Sequence, residues 1–438
     1  MPVDRASAAD LMQLATDVGP VPMHVGAVLV LGTGQGFSVQ EAQRLLGERV
    51  QAVPRLRRRL RRAPPGCGRP FWADDPAFDL RHHVRQLPCP PPGDQRALLE
   101  VAADVIGAPL PRSRPLWSAT FVTGLADGST GLVVVMNHVL ADGIGGLAVL
   151  AELVDEGLPP GHRAVARFPV PAPQARTLAA DAWACRARQL THLARSVRAI
   201  GQGLAELGGV RPPRPLPQTS LNRATGRQRR LDVVAADLAA VRELGHAHGG
   251  TVNDVILAVI TGALRVLLAS RGEELALAMV SVPVSARRAA TGSQLGNQVG
   301  VMPVALPTGG DLADRVARIA AVTSERKRAA PATSAAILGP VFRLLAPTGL
   351  LRWWFDRQRF IHTFATNLRG PAEPLSFAGA PVLAVIPIPS TTGNVTVTFA
   401  VLSYAGTLQI TVLSDPSRVP DVAVLTAALR RELGNAAR

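Results

Sequence analysis

A histidine with a carboxylate four residues on, just past an apolar run, is the arrangement in this sequence best placed to do chemistry. The run is Leu132-Val133-Val134-Val135-Met136, followed by Asn137 and His138, with Asp142-Gly143 beyond. At the mouth of a buried strand an imidazole can act as a general base, provided it reaches the proton it abstracts. The same residues also read as a satisfied core histidine and an ordinary turn aspartate. Metal ligation is a third reading, since His and Asp four apart can share a helical face. Here they straddle a strand end and a glycine turn, with no further ligand nearby, so no metal is expected. GxSxG, GxGxxG after a strand and the P-loop are absent, and Cys67, Cys89 and Cys185 have no suggestive neighbours. By elimination, chemistry centred on His138 is direct base activation of a nucleophile, without a covalent intermediate.

The elements that must hold His138 follow from hydrophobic periodicity. The uninterrupted, β-branched run at 132–136 predicts a strand buried on both faces. Residues 118–122 predict its hairpin partner, across a turn at 127–130. Residues 23–31 read as another strand, and 8–14 as a short helix capped by Ser7. A helical stretch at 39–62, interrupted at Pro54, ends in Arg55, Arg57, Arg58, Arg59, Arg61 and Arg62. That run is either a solvated helix end or a patch for CoA phosphates or acidic lipid headgroups. An edge strand is expected at 79–87, carrying His82 and His83. Residues 174–207 predict one long helix, whose apolar stripe starting at Trp183 suits packing or, with its basic flanks, a membrane surface. Pro212, Pro213, Pro215 and Pro217 mark a linker. The expected division is a first lobe at 1–209, a linker at 210–228 and a second lobe at 229–438. Strands and helices recur in both halves, which predicts an α+β protein of two similar-sized lobes.

Composition bounds the partners. With 47% hydrophobic and 18% charged residues in 438, the chain is globular and long enough for two or three domains. A net charge of +15 favours anionic partners. Aromatics at 4%, with Tyr404 the single tyrosine, leave no base-stacking platform, so nucleic acid is not expected. The scattered cysteines fit a reducing compartment. The N-terminal stretch lacks the apolar segment of a secretion signal, and the greasiest segment, 335–355, is broken by prolines, glycines and arginines. A cytoplasmic protein, at most peripheral to a membrane, is expected.

Asn137-His138-Val139-Leu140-Ala141-Asp142-Gly143 resembles the HHxxxDG motif of CoA-dependent acyltransferases with the condensation-domain fold. Other segments resemble the bacterial wax ester synthase/diacylglycerol acyltransferase family more narrowly. Pro22-Met23-His24-Val25-Gly26 is similar to its PMHVG segment, and Pro115-Leu116-Trp117 to its PLW. Thr251-Val252-Asn253-Asp254-Val255 with Gly262-Ala263-Leu264-Arg265 resembles TxNDVxLA…GALR. Val282-Pro283-Val284-Ser285 with Arg287 is similar to VPVSxR, Thr366-Asn367-Leu368-Arg369-Gly370-Pro371 to SNVPGP, and Ser403-Tyr404-Ala405-Gly406 to SYxG. The matches run in family order along nearly the whole chain.

The resemblance implies two chloramphenicol-acetyltransferase-like lobes with a tunnel between them. It implies no resident cofactor, acyl-CoA as co-substrate and a lipid alcohol as acceptor, with His138 as the base. Asp142 would brace the loop by bridging to an arginine, for which Arg287 is the candidate, and Gly143 completes the motif. Asn253 and Asp254 match a pair important to the family, although Asn253 reads equally as a helix N-cap. Pro115, Leu116, Trp117 and Asn367 would line the substrate path. Three departures stand out. Asn137 replaces the first motif histidine, Arg369 stands in the SNVPGP segment, and Asp17 occupies a position where the family commonly has glutamate. Two alternatives therefore stay open. One is a condensation-type acyltransferase with a specialised hydroxyl or amine acceptor or a carrier-protein donor; the other is a non-catalytic lipid-binding relative. Peripheral association with an anionic membrane or lipid-droplet surface is a further expectation.

Overall fold

Strand β6 (Thr130–Asn137) sits near the middle of a six-stranded sheet, and every one of its residues is buried. The computed structural model describes residues 3–17, 22–34, 36–141, 143–156, 168–191, 216–217, 219–285, 299–329 and 350–436. The sheet contains β1 (His24–Leu31), β4 (Val84–Pro88), β5 (Trp117–Thr123), β6, β11 (Ser376–Phe377) and β12 (Ala380–Ile388), in the order β11-β12-β1-β6-β5-β4. The expected hairpin forms, running from Trp117 opposite Met136 to Val122 opposite Gly131.

Burial on both faces explains why β6 is apolar throughout rather than alternating. Leu132, Val134 and Met136 pack with α2 (Val39–Ala52) and α4 (Gly143–Leu153). Val133 and Val135 face α3 (Gln95–Gly107). Before them runs α1 (Ala8–Thr16), which Ser7 caps as expected by accepting from the Asp10 amide.

A second six-stranded sheet is built from β7 (Arg230–Asp237), β8 (Leu277–Ser285), β9 (Val299–Pro307), β10 (Thr363–Arg369), β13 (Val397–Tyr404) and β14 (Thr407–Ser414). Its order is β7-β14-β13-β10-β8-β9. Its core helix is α7 (Val252–Ser270), flanked by α6 (Leu238–Ala247), α8 (Leu312–Ala329) and α10 (Val422–Ala436), with the short α9 (Leu350–Phe355) ahead of β10. Among the described residues α7 alone is long and apolar enough to cross a membrane, yet its residues from Asp254 to Leu264 are buried inside the protein.

The second lobe does not keep all of its expected residues. Strand β12 pairs antiparallel with β1, Gly26 opposite Ile388, and so belongs to the first sheet. Left unpaired, β1 would present an apolar open edge, and β12 closes it. The hairpin that carries β12 is pinned at its turn. Asp155 accepts from the Ala378 and Gly379 amides at 3.0 and 2.9 Å and from Arg49. Both turn residues have positive φ, 52° and 77°. Periodicity identifies the strand at 380–388, but it does not say which sheet receives it. Part of the expected linker is likewise packed structure: Leu221 is fully buried in the second core, and its carbonyl accepts from the Thr396 amide.

The arginine run is not a helix end. After Val53 the chain makes a 3-10 turn at Pro54–Arg57 and then β2 (Arg58–Arg61), paired with β3 (Phe71–Asp74). Arg55 lies over Trp72 and Arg57 over Phe168, at 4.2 and 4.3 Å. Arg58 binds Asp74 at 2.9 Å, and Arg59 donates to the Ser113 carbonyl. Only Arg61 and Arg62 of the run are exposed, so most of the expected anion patch is spent on protein partners. The predicted edge strand starts late: Leu80–His82 form a 3-10 turn, and His83 stacks between Phe78 and Trp117. Helix α5 (Ala175–Thr191) buries Leu178 against Phe71 and Ala73, whereas Trp183 is 68% exposed. The rest of the predicted 174–207 helix lies outside the described residues.

Candidate active site

The end of β6 is fixed by main-chain bonds on both sides. Asn137 pairs with His24 across the β1–β6 ladder, and its N–H donates to the Leu116 carbonyl at 2.9 Å. The His138 N–H donates to the Met23 carbonyl at 2.8 Å, and the chain then turns, with the Leu140 N–H reaching the Asn137 carbonyl. His138 is half-buried at this point, while Asn137 is 5% exposed. A ring so placed stays within reach of a ligand while its main chain cannot drift.

Asn137 has a defined role. Its side-chain carbonyl accepts from the Val139 N–H at 3.0 Å, and its amide donates to Asp17 at 3.2 Å. Asp17 also accepts from the Met23 N–H at 2.9 Å and pairs with Arg112 at 3.1 Å. The shorter carboxylate at this position is thus tied to the motif. The signal was the pairing of two departures, Asp17 and Asn137, which spacing alone does not connect. His24 is a core histidine. Its Nδ1 bonds the Ile106 carbonyl at 2.9 Å, which makes that nitrogen the donor, and burial pulls its pKa below the usual imidazole value against the pull of Ile106 and Asp17.

Asp142 and Arg287 lie outside the described residues, as does the bridge expected between them. Gly143 opens α4 and faces the second lobe: a Cβ there would stand 3.3 Å from the Leu368 side chain of β10. One residue back on β10, the Asn367 amide reaches the Asn253 side-chain carbonyl at 3.4 Å. The last residues of β10 therefore touch both the first turn of α7 and the first residue of α4. Arg369, at the strand's end, is exposed.

Asn253 is not the N-cap of α7; Thr251 is. Asp254 closes that cap, accepting from the Thr251 N–H at 2.8 Å and its hydroxyl at 2.6 Å, and its other oxygen accepts from Thr323 at 2.7 Å. With both oxygens engaged at 2% exposure, Asp254 anchors the helix that presents Asn253. Pro115, Leu116 and Trp117 are buried. Trp117 Nε1 donates to the Leu56 carbonyl at 2.7 Å and its ring stacks on His83 at 4.7 Å, so this segment supports the end of β6 from beneath. Among the described residues no three His, Cys, Asp or Glu side chains gather as a metal site.

Two lobes, each with a six-stranded mixed sheet, meeting beside a histidine at the end of a central strand, define a condensation-type acyltransferase fold. The structure matches the wax ester synthase/diacylglycerol acyltransferase of Marinobacter aquaeolei VT8 with a TM-score of 0.70, at 22% identity, over 100% of this chain and 98% of that one. It also matches the starter condensation domain of rhizomide synthetase, an R148A mutant in complex with C8-CoA, with a TM-score of 0.61, at 14% identity, over 100% and 95%. The chain belongs to the wax ester synthase/diacylglycerol acyltransferase family: the family's catalytic domain matches residues 7–256 and its C-terminal domain residues 295–435. A probable diacylglycerol O-acyltransferase of Mycobacterium tuberculosis is 31% identical over 93% of this chain and 90% of its own length. The protein is an acyltransferase.

Proposed function

We propose that the protein moves a long-chain acyl group from acyl-CoA to the hydroxyl of diacylglycerol or a long-chain alcohol, with His138 as the general base. The observation that carries this reading is the half-buried His138 at the end of β6, held by the Met23 carbonyl beside the contact of Gly143 with Leu368. As the hydroxyl oxygen attacks the thioester carbonyl carbon, the imidazole takes the hydroxyl proton. The tetrahedral intermediate collapses with cleavage of the carbon–sulfur bond, and the departing thiolate recovers the proton from the imidazolium. A thiol with a pKa of roughly 8–9 leaves readily, so no strong acid is required.

Asp142 with Arg287 is the proposed brace of the motif loop, and Gly143 lets that loop approach the second lobe. The exposed Asn367, paired with Asn253, is the proposed polar contact on the substrate path. Leu116 and Trp117 shape the path from behind. Acyl-CoA is the proposed donor, supported by the C8-CoA in the similar condensation domain. Peripheral attachment of a cytoplasmic enzyme to an anionic lipid surface belongs to the same reading. It is supported by the exposed Trp353 and Trp354 beside Arg357.

The test is thiol release from palmitoyl-CoA with diacylglycerol and hexadecanol as separate acceptors. Acceptor-dependent release is expected with at least one, and His138→Ala should lower it by about 10²–10⁴-fold. Full activity of His138→Ala would remove the base assignment. Release only with some other hydroxyl or amine compound would favour a specialised acceptor.

A further inference from the structure

We propose that Asp17 and Asn137 form a coupled positioning pair that sets the main chain of His138, an inference that rests on His138 being the base. The bonds close a circuit around that residue. Asp17 Oδ1 accepts from the Met23 N–H at 2.9 Å, and the Met23 carbonyl accepts from the His138 N–H at 2.8 Å. Asn137, covalently next to His138, returns the circuit to Asp17 Oδ2 through its side-chain amide at 3.2 Å. The other end of the same amide accepts from the Val139 N–H at 3.0 Å. The residues before and after His138 are thus both tied through Asn137, and His138 itself through Met23. Asp17 joins the two ties.

The chemical types are matched. A carboxylate only accepts, so Asp17 can serve two donors at once, Met23 and Asn137. A primary amide donates at one end and accepts at the other, which is what position 137 requires between Asp17 and Val139. The side chains of Asp17 and Asn137 are largely withdrawn from water, the former 12% exposed. A lost partner there leaves a buried polar group unsatisfied. Arg112 also pairs with Asp17 but is 60% exposed, so it adds little to the geometry.

Because each residue acts through the His138 main chain, loss of the pair should show in kcat and not in donor binding. The experiment uses the full chain with palmitoyl-CoA and whichever acceptor supports turnover. It compares Asp17→Asn, Asn137→Asp, the double exchange Asp17→Asn/Asn137→Asp, and His138→Ala. The double exchange restores the bonds to Met23 and Val139, reverses the one between positions 17 and 137, and gives up only the exposed Arg112 pair. The amide placed at 17 accepts from Met23 and donates to the carboxylate placed at 137, which still accepts from Val139.

Each single change is expected to lower kcat about 10–100-fold, the scale of an ~1 Å misplacement, with KM for palmitoyl-CoA and the thermal midpoint little moved. The double exchange should recover most of that loss. A double whose loss equals the product of the two singles overturns the coupling, as does a single variant with wild-type kcat. A kcat loss matched by loss of folded protein also overturns it. His138→Ala separates the two readings. If it is inactive while Asp17→Asn is normal, only the pair is refuted; if it keeps full activity, the base fails and the pair with it.

Discussion

The side chain of Leu368 stands 3.3 Å from the point to which a Cβ on Gly143 would project. Gly143 opens α4 in the first lobe and Leu368 is the penultimate residue of β10 in the second sheet, so this contact is where the lobes meet beside His138. Valine at 143 would drive a branched side chain into Leu368. Overpacking of this kind costs about 1–3 kcal/mol, and at a lobe contact it also moves the two halves of the site apart. Gly143→Val is expected to lower acyl transfer by more than its loss of folded protein explains, and adding Leu368→Ala should relieve part of the defect. Wild-type turnover in Gly143→Val would show that the lobes are free to separate there.

A second glycine is held by charge. A Cβ on Gly262 would lie 2.4 Å from Arg315 Nη2 and 2.5 Å from Glu432 Oε1. Arg315 is 2% exposed, with its guanidinium on the Ala258 and Gly310 carbonyls and on Glu432 at 2.6 Å. Gly262→Ala must therefore displace a buried ion pair that crosses α7. The expected loss is about 3–5 kcal/mol, measured by urea unfolding. A loss under about 1 kcal/mol would mean the pair can slide aside.

The reach of the sequence differs between these two glycines and their partners. Residues 132–138 read correctly as a buried strand with a histidine at its mouth because that information is local: an apolar run, then polar residues. The hairpin to 118–122 was legible for the same reason. Gly262 was visible as part of a motif, but not the Arg315 and Glu432 that require it, since they come from two other helices. The destination of β12 was hidden because alternation marks a strand and not its neighbour. The arginine run misled because guanidinium groups on Trp72 and Phe168 look, in sequence, like those facing water. The tie between Asp17 and Asn137 is not legible in the sequence because the two lie 120 residues apart.

Burial of His362 is expected to make the second lobe acid-sensitive. Its Nδ1 accepts from the Met279 N–H at 2.9 Å, and the ring is 1% exposed. Burial lowers its pKa from 6.5 to about 4. Below pH 6.5 the unfolded chain takes up a proton that the folded protein refuses until about pH 4, so this stability is full above pH 6.5 and is lost as pH falls toward 4. Between pH 7 and pH 5 the loss should be about 2 kcal/mol. His362→Asn, whose carbonyl can accept from Met279, should lose less over the same interval by urea unfolding. Parallel losses in both proteins would place the acid sensitivity elsewhere.

Leu350, Trp353 and Trp354 on α9 are 55%, 57% and 40% exposed. Arg357 lies 5.1 Å from the Trp353 ring, and Trp354 is backed by Phe355 and Phe360 at 5.1 and 6.0 Å. Tryptophan favours the interface between water and lipid, and arginine beside it favours anionic headgroups. Trp353→Ser/Trp354→Ser is therefore expected to reduce sedimentation with phosphatidylglycerol vesicles several-fold. Raising the salt should weaken wild-type binding as well, because part of the attraction is screened. Turnover of diacylglycerol dispersed in those vesicles should fall in the double variant, while turnover of a water-soluble short-chain alcohol should not. Unchanged sedimentation in the variant would move the lipid contact away from α9, and binding insensitive to salt would remove the arginine from it.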